Sequence, residues 1–441
     1  MAGAAPRAGR QARGAGLRLS LGLLAGVACA NVEPPPGGPP DAQAPALIRV
    51  APDSGAIVPA LRDPAVLQFD EVIDEMGGGG GGGGGGGFGG RAADGLGALI
   101  LLSPVTGDLV VSWRRTAIAV KPREGWRAGR VYRLEVLPGI RDLRGNRSAE
   151  GRLIVFSTGP AIPTAVLAGT ALDWTGQRVL ARGLVRAAPR GDTTGYLAPV
   201  DSAGGFRLAA IPPGDYVVHA VQDENGNRRI DRREAYDSTP VRLDSTATTV
   251  LWAFVHDTAG PRLRSADPVD SVTFRIVFAQ HLDPSDRLDT TRVRLVALPD
   301  STPVPLAQVL WPPQYDSLAA RERAAADSAR RAQGDTGAAA PPAPAAAAAQ
   351  GPPGAPATPA RPGGRGPVQA PDSTVIRLLA RRPLPFDRLV VRVRQPLTAE
   401  AKYFVRVTGA RNLNGAVADG QAVLTMPKRA APRDTTPPPP R

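Results

Sequence analysis

One stretch of this 441-residue chain spaces its side-chain oxygens as a binding site would: DENGNRRIDRRE, residues 223–234. Asp223, Asn225, Asn227, Asp231 and Glu234 all carry hard oxygen donors. A hard cation takes about six or more such oxygens. The competing reading is a polar turn, built from Asn, Gly and Asp for their backbone tolerance. Arg228, Arg229, Arg232 and Arg233 also oppose a cation electrostatically. Elsewhere chemistry is sparse. His219, His256 and His281 stand far apart, with no HxxxH, no Cys/His cluster and no GxSxG elbow. FDEVIDE (69–75) pairs carboxylates, but its counterpart FAQHLD (278–283) keeps only the strand pattern. No nucleophile, base and orienting group can be named together, so the chain reads as non-enzymatic; a hydrolase is the weakest alternative.

The 223–234 stretch resembles the EF-hand calcium loop. Counted from Asp223, its oxygen side chains fall at positions 1, 3, 5, 9 and 12, and Ile230 takes the apolar position 8. The resemblance implies Ca2+ as cofactor and a main-chain carbonyl ligand from Arg229 at position 7. The loop departs at position 6, where Arg228 replaces Gly and Gly226 stands two residues early. A strand rather than a helix precedes it. The role implied is a structural staple on a hairpin.

Positioning such a loop takes folded elements, and the chain supplies strands. In 45–158 the pieces AVLQFDEVID (65–74), ALILLSP (98–104), DLVVSWR (108–114), TAIAVKP (116–122), VYRLEVLPG (131–139) and GRLIVFST (151–158) are short, β-rich and punctuated by Gly, Pro or Asp. That spacing predicts an antiparallel sandwich of about seven strands. Within VYRLEVLPG, Tyr132, Leu134 and Val136 form one core-facing side. GWRAGRVYRLEVLPGIRDLRGN (125–146) is echoed by PLTAEAKYFVRVTGARNLNGA (396–416), which marks 258–427 as a second copy of 46–160. Both copies resemble the bacterial S-layer-type Ig-like domain through APDSGA (51–56), Phe69, Tyr132, GIRDLRGN (139–146) and FSTG (156–159), matched by Phe278, Tyr403 and GARNLNGA (409–416). The second copy departs at Asn412, where the pattern has Asp. Residues 163–256 differ: DSAGGFRLAAIPPGDYVVHAVQDENGN (201–227) resembles the prealbumin-like sandwich of carboxypeptidase regulatory domains. Here Phe206 and Leu208 are expected to pair through a turn at Pro212-Pro213-Gly214 with Tyr216 and Val218 as a hairpin. The fold class expected is therefore all-β, tandem Ig-like and prealbumin-like β-sandwiches with low-complexity disordered inserts.

Those inserts are a Gly-rich run at 77–90, a helical then Ala/Pro/Gly-rich segment at 312–371, and a tail at 428–441. They lack the apolar content to build a core. At the front, four arginines without an acid precede an apolar run, Leu19 to Ala28, as in a secretory signal peptide over 1–28. LLAGVACA resembles the bacterial lipoprotein signal, which implies lipidation at Cys29, with Gly26 where the family prefers Leu. Residues 29–45 would then be a Pro-rich tether. Cleavage lowers the formal net charge from +13 by the four arginines lost, to +9. The remaining basic residues are interleaved with acids, so no nucleic-acid partner is expected. With a single cysteine, no internal disulfide can form.

The expectation is a non-enzymatic cell-envelope lipoprotein, a scaffold or adhesive surface protein held on the membrane by its lipid. Ala30 after the cysteine favours the outer membrane by analogy. The alternative is a carbohydrate- or protein-binding module of an envelope complex. The partner would be an envelope protein or polysaccharide; two or more tryptophans exposed on one face would favour that alternative.

Overall fold

The computed structural model describes residues 41–75, 95–106, 108–332 and 373–428. The expected signal peptide over 1–28, Cys29, most of the expected 29–45 tether, the Gly-rich run, the 334–371 tract and the tail beyond 428 lie outside the described residues. Two compact units divide the chain, Met1–Gln43 and Ala44–Arg441. In the first, the Gln43 N–H donates to the Asp41 carboxylate at 3.1 Å. In the second, strands dominate, and they enclose three main apolar cores.

The first core lies between two antiparallel sheets. One has the order Leu47–Ala51, Ala65–Phe69, Ala117–Pro122, Leu109–Arg114; the other has Ile100–Ser103, Val131–Val136, Arg152–Ser157. Leu67, Phe69, Ile118 and Val120 from one sheet meet Ile100, Leu134, Ile154 and Phe156 from the other. This is the seven-stranded sandwich that the alternation predicts.

The same topology recurs over residues 263–425. Leu263–Pro268, Thr273–Phe278, Arg388–Val393 and Leu306–Leu310 repeat the four-stranded order, and Val293–Ala297, Lys402–Arg411 and Val417–Thr425 repeat the three-stranded one. A parallel pair, Ala266↔Leu424, joins the halves into one sheet, with Thr302–Pro303 added at its edge. The likeness extends to single residues. Leu47↔Phe69 is followed by a bulge before Arg49, and Leu263↔Phe278 by one before Ser265. The Tyr132 hydroxyl accepts from the Arg127 N–H and the Tyr403 hydroxyl from the Thr398 N–H, both at 2.8 Å. Bridges Ile73↔Asp142 and Leu282↔Asn412 close corresponding turns.

The middle core is wrapped by a sheet of order Tyr196–Pro199, Gly183–Pro189, Gly214–Gln222, Ala235–Leu243, Thr246–Val255, Val166–Asp173, Gly205–Ala209. All pairs are antiparallel except Thr246–Val255 with Val166–Asp173. Phe206, Leu208, Tyr216 and Val218 do share this core. The expected hairpin between them is not formed. Gly205–Ala209 pairs with Val166–Asp173, whereas Gly214–Gln222 pairs with Gly183–Pro189 and Ala235–Leu243. The Pro-Pro segment therefore arches from one side of the sandwich to the other, with the Tyr216 hydroxyl donating to the Pro212 carbonyl.

The helix Pro312–Ala332 buries no residue. Its composition, polar on nearly every face, accounts for that.

Candidate cation-binding loop

The 223–234 segment is the connection of a true hairpin. Strand Gly214–Gln222 delivers Asp223, and strand Ala235–Leu243 begins straight after Glu234; the pair runs from Gly214↔Leu243 to Val221↔Tyr236. The first and last candidate ligands are thus set side by side by the sheet register.

Inside the loop, short Asx turns order the backbone. Asn225 Oδ1 accepts from the Asn227 N–H at 2.9 Å, and Asn227 Oδ1 from the Arg229 N–H at 2.8 Å. Both amide Nδ2 groups donate to Asp231 Oδ2 at 2.8 Å. Asp223 Oδ2 accepts from the Arg228 N–H at 3.0 Å, and Glu234 Oε1 from the Glu224 N–H at 3.1 Å. The opposite oxygens, Asp223 Oδ1 and Glu234 Oε2, are buried without a hydrogen-bond partner. Glu234 is only 6% exposed. An unpaired carboxylate oxygen in a buried position is costly, and coordination to a cation would relieve it. Burial pushes the Glu234 carboxyl up, as do the charges of Asp223 and Asp231. The donor set fits a hard cation, with two free carboxylate oxygens at the loop's ends. Among the described residues, the carboxylates of Asp223, Asp231 and Glu234 do not all come within 4.8 Å of one another. Binding would require the loop to tighten.

Arg228, the departure at position 6, carries φ +60°. It adopts the left-handed conformation for which glycine is favoured there. Nothing in the sequence marks an arginine for that conformation. Its guanidinium is engaged outside the loop, donating to the carbonyls of Gly97 at 2.7 Å and Ala98 at 3.2 Å. Arg229 lies 3.7 Å from Asp108 of the first sandwich. These two charges therefore have partners of their own. Ile230 packs onto a small cluster of Leu101, Leu184 and Val221 between the first and middle sandwiches.

Among the described residues the three histidines join no cluster of metal-ligating groups, whereas Glu71 of FDEVIDE lies with Asp142 in a carboxylate group of such spacing. His256 stacks on Tyr236 at 3.9 Å and lies 4.1 Å from Phe254, ring centroid to centroid. All three histidines are half-buried, and burial pushes each imidazole below its usual value. Within FDEVIDE, Asp74 pairs with Arg141 at 3.1 Å and Asp70 accepts from the Ala46 N–H at 2.8 Å, so both serve structure.

No family model and no curated protein matches the chain. Solved structures align at low similarity. The N-terminal part of the bacterial S-layer protein SbsC is 9% identical, with a TM-score of 0.18, over 38% of this chain and 24% of that one. BcpA, the major pilin subunit of Bacillus cereus, is 8% identical, with a TM-score of 0.17, over 48% and 71%. The MG0-NIE-MG1 portion of Escherichia coli alpha-2-macroglobulin is 10% identical, with a TM-score of 0.18, over 59% and 84%. The chain thus spans about a quarter of the SbsC fragment, and overlaps this weak carry no functional argument. Among the described residues, no helix is long and apolar enough to cross a membrane.

Proposed function

We propose that this protein is a non-enzymatic envelope lipoprotein, anchored through Cys29, whose β-sandwiches form a scaffold with a Ca2+-binding loop at 223–234 as a structural staple. The observation that carries the scaffold reading is the placement of the tryptophans. Trp174 is buried and Trp113, Trp126, Trp252 and Trp311 are half-buried, so none is the open flat ring of a sugar-binding platform. Three of them are fixed through their indole N–H: Trp113 to the Ile73 carbonyl, Trp126 to that of Asp63 and Trp174 to that of Pro383. These aromatics hold the scaffold together.

The anchor rests on the lipoprotein-like signal, and several acyl chains on one residue give durable membrane attachment. Cys29→Ala in a bacterial host is expected to move the protein from the membrane to the soluble fraction. Retention of the variant in membranes would remove the anchor from this reading.

The staple rests on the two unpartnered oxygens of Asp223 and Glu234. Melting in CaCl2 is expected to exceed melting in chelator, by about 2–3 kcal/mol of stability at one hundred times the dissociation constant. Glu234→Gln is expected to lose most of that gain. Identical melts with and without chelator would exclude the staple.

A further inference from the structure

The same loop touches the first sandwich at three points, and its position 6 is the hub. Arg228 donates its main-chain N–H to Asp223, the first candidate ligand, and its guanidinium to Gly97 and Ala98 in the short 3-10 turn Gly95–Leu99. Ile230, two residues on, contributes to the cluster with Leu101, Leu184 and Val221, which Leu137, Leu197 and Tyr236 complete. Leu101 and Leu137 belong to the first sandwich and the others to the middle one. A nearby groove of about 290 Å3 is lined from both sides, by Thr106 and Asp108 and by Arg186, Asn227 and Arg229.

We infer that cation binding at 223–234 clasps the middle sandwich to the first, with Arg228 as the mechanical link. The inference rests on the Ca2+ reading above. Drawing Asp223, Asp231 and Glu234 together tightens the loop around a residue whose backbone conformation is already fixed. The movement is therefore passed to its side chain and to Ile230, both of which end on the first sandwich. Relative motion is the default expectation for neighbouring domains, and the clasp adds one constraint to those that already tie these two, Arg133 to Ala209 and Arg130 to Asp192.

The test uses the full chain with CaCl2 or chelator. Calorimetric titration reads binding, and hydrogen exchange of peptides covering 95–103 reads the junction. In the wild type, Ca2+ is expected to slow exchange there by about threefold or more. Arg228→Gly keeps the left-handed backbone freely and removes the link. It is expected to bind Ca2+ at least as tightly while leaving exchange at 95–103 unchanged. Glu234→Gln should abolish both readouts. Binding without slowing in the wild type, or equal slowing in Arg228→Gly, overturns the clasp and leaves the cation site standing. Absence of binding in the wild type overturns both. If Arg228→Gly does not fold, the wild-type comparison alone decides.

Discussion

Asp142 and Asn412 occupy one turn in two copies, and their difference has a physical reason. Asp142 accepts from the Arg144 and Asn146 N–H groups, and Asn412 Oδ1 does the same from Asn414 and Ala416. The other end of Asn412 is a donor, bonding the Asp257 and Ala259 carbonyls at 2.9 Å and Gln280 Oε1 at 3.1 Å. A carboxylate there would face three acceptors. Asn412→Asp is expected to destabilise by about 1–3 kcal/mol, read as a lower urea midpoint at constant slope. Asp192 gives a pH signature. The Thr194 N–H, helped by Arg130 at 2.8 Å, holds its carboxyl down at about 2. A lowered folded value means that its stabilisation is present above the unfolded value near 3.8 and is lost as pH falls towards 2. The difference between wild type and Asp192→Asn should therefore be about 2 kcal/mol at pH 7, fall to a small fraction of that at about pH 2 and vanish only below it, in denaturant titrations. The spacing of the oxygen side chains in the candidate loop, and its place between two strands, were legible from residue types alone. Arg133 was not: alternation sets it on a polar face, yet it is 2% exposed and donates to the Ala209 carbonyl. That face is covered by the middle sandwich, and a strand pattern does not say what covers it.

At the scale of elements, β-rich pieces of seven to ten residues punctuated by Gly, Pro and Asp were enough to locate most strands of the first sandwich. Leu47–Ala51 escaped because only Val50 of its five residues is buried. The false hairpin at 205–218 has a clear cause. Alternation reports which side chains share a core, and two strands on opposite walls of a sandwich satisfy it as well as two paired ones. The long insert sits where the repeat can absorb it. Strands Leu306–Leu310 and Arg388–Val393 are direct neighbours, and in the first copy their counterparts are joined by Arg115 and Thr116 alone. From 320 to 332 the helix is wholly exposed, and its described ion pair to the sheet is Glu322 with Arg392 at 2.7 Å. Replacing 320–371 with a short Gly-Ser linker is expected to change stability by no more than about 1 kcal/mol, since exposed ion pairs and loop length each contribute little. A loss of several kcal/mol in chemical denaturation would mean that the insert covers a surface of the sandwich.

At the scale of the whole molecule, the sandwiches are joined by bonds between residues remote in sequence, which no local pattern could have disclosed. Arg133 and Ala209 are 76 residues apart, Trp174 and Pro383 209. The junction of the middle and third sandwiches centres on Arg382. Its guanidinium lies 3.6 Å from the ring centroid of Trp174 and 5.8 Å from that of Trp252, while Trp174 donates its indole N–H to Pro383. A partly desolvated guanidinium on an aromatic face contributes about 0.5–2 kcal/mol. Arg382→Ala should therefore lower the unfolding free energy by about 1–2 kcal/mol. It should also let the third core melt as a separate calorimetric transition. Arg382→Lys keeps the charge but loses the flat stacking surface, so it should recover only part of the loss. Unchanged melting in both variants would exclude the stacked arginine as the group that holds the junction.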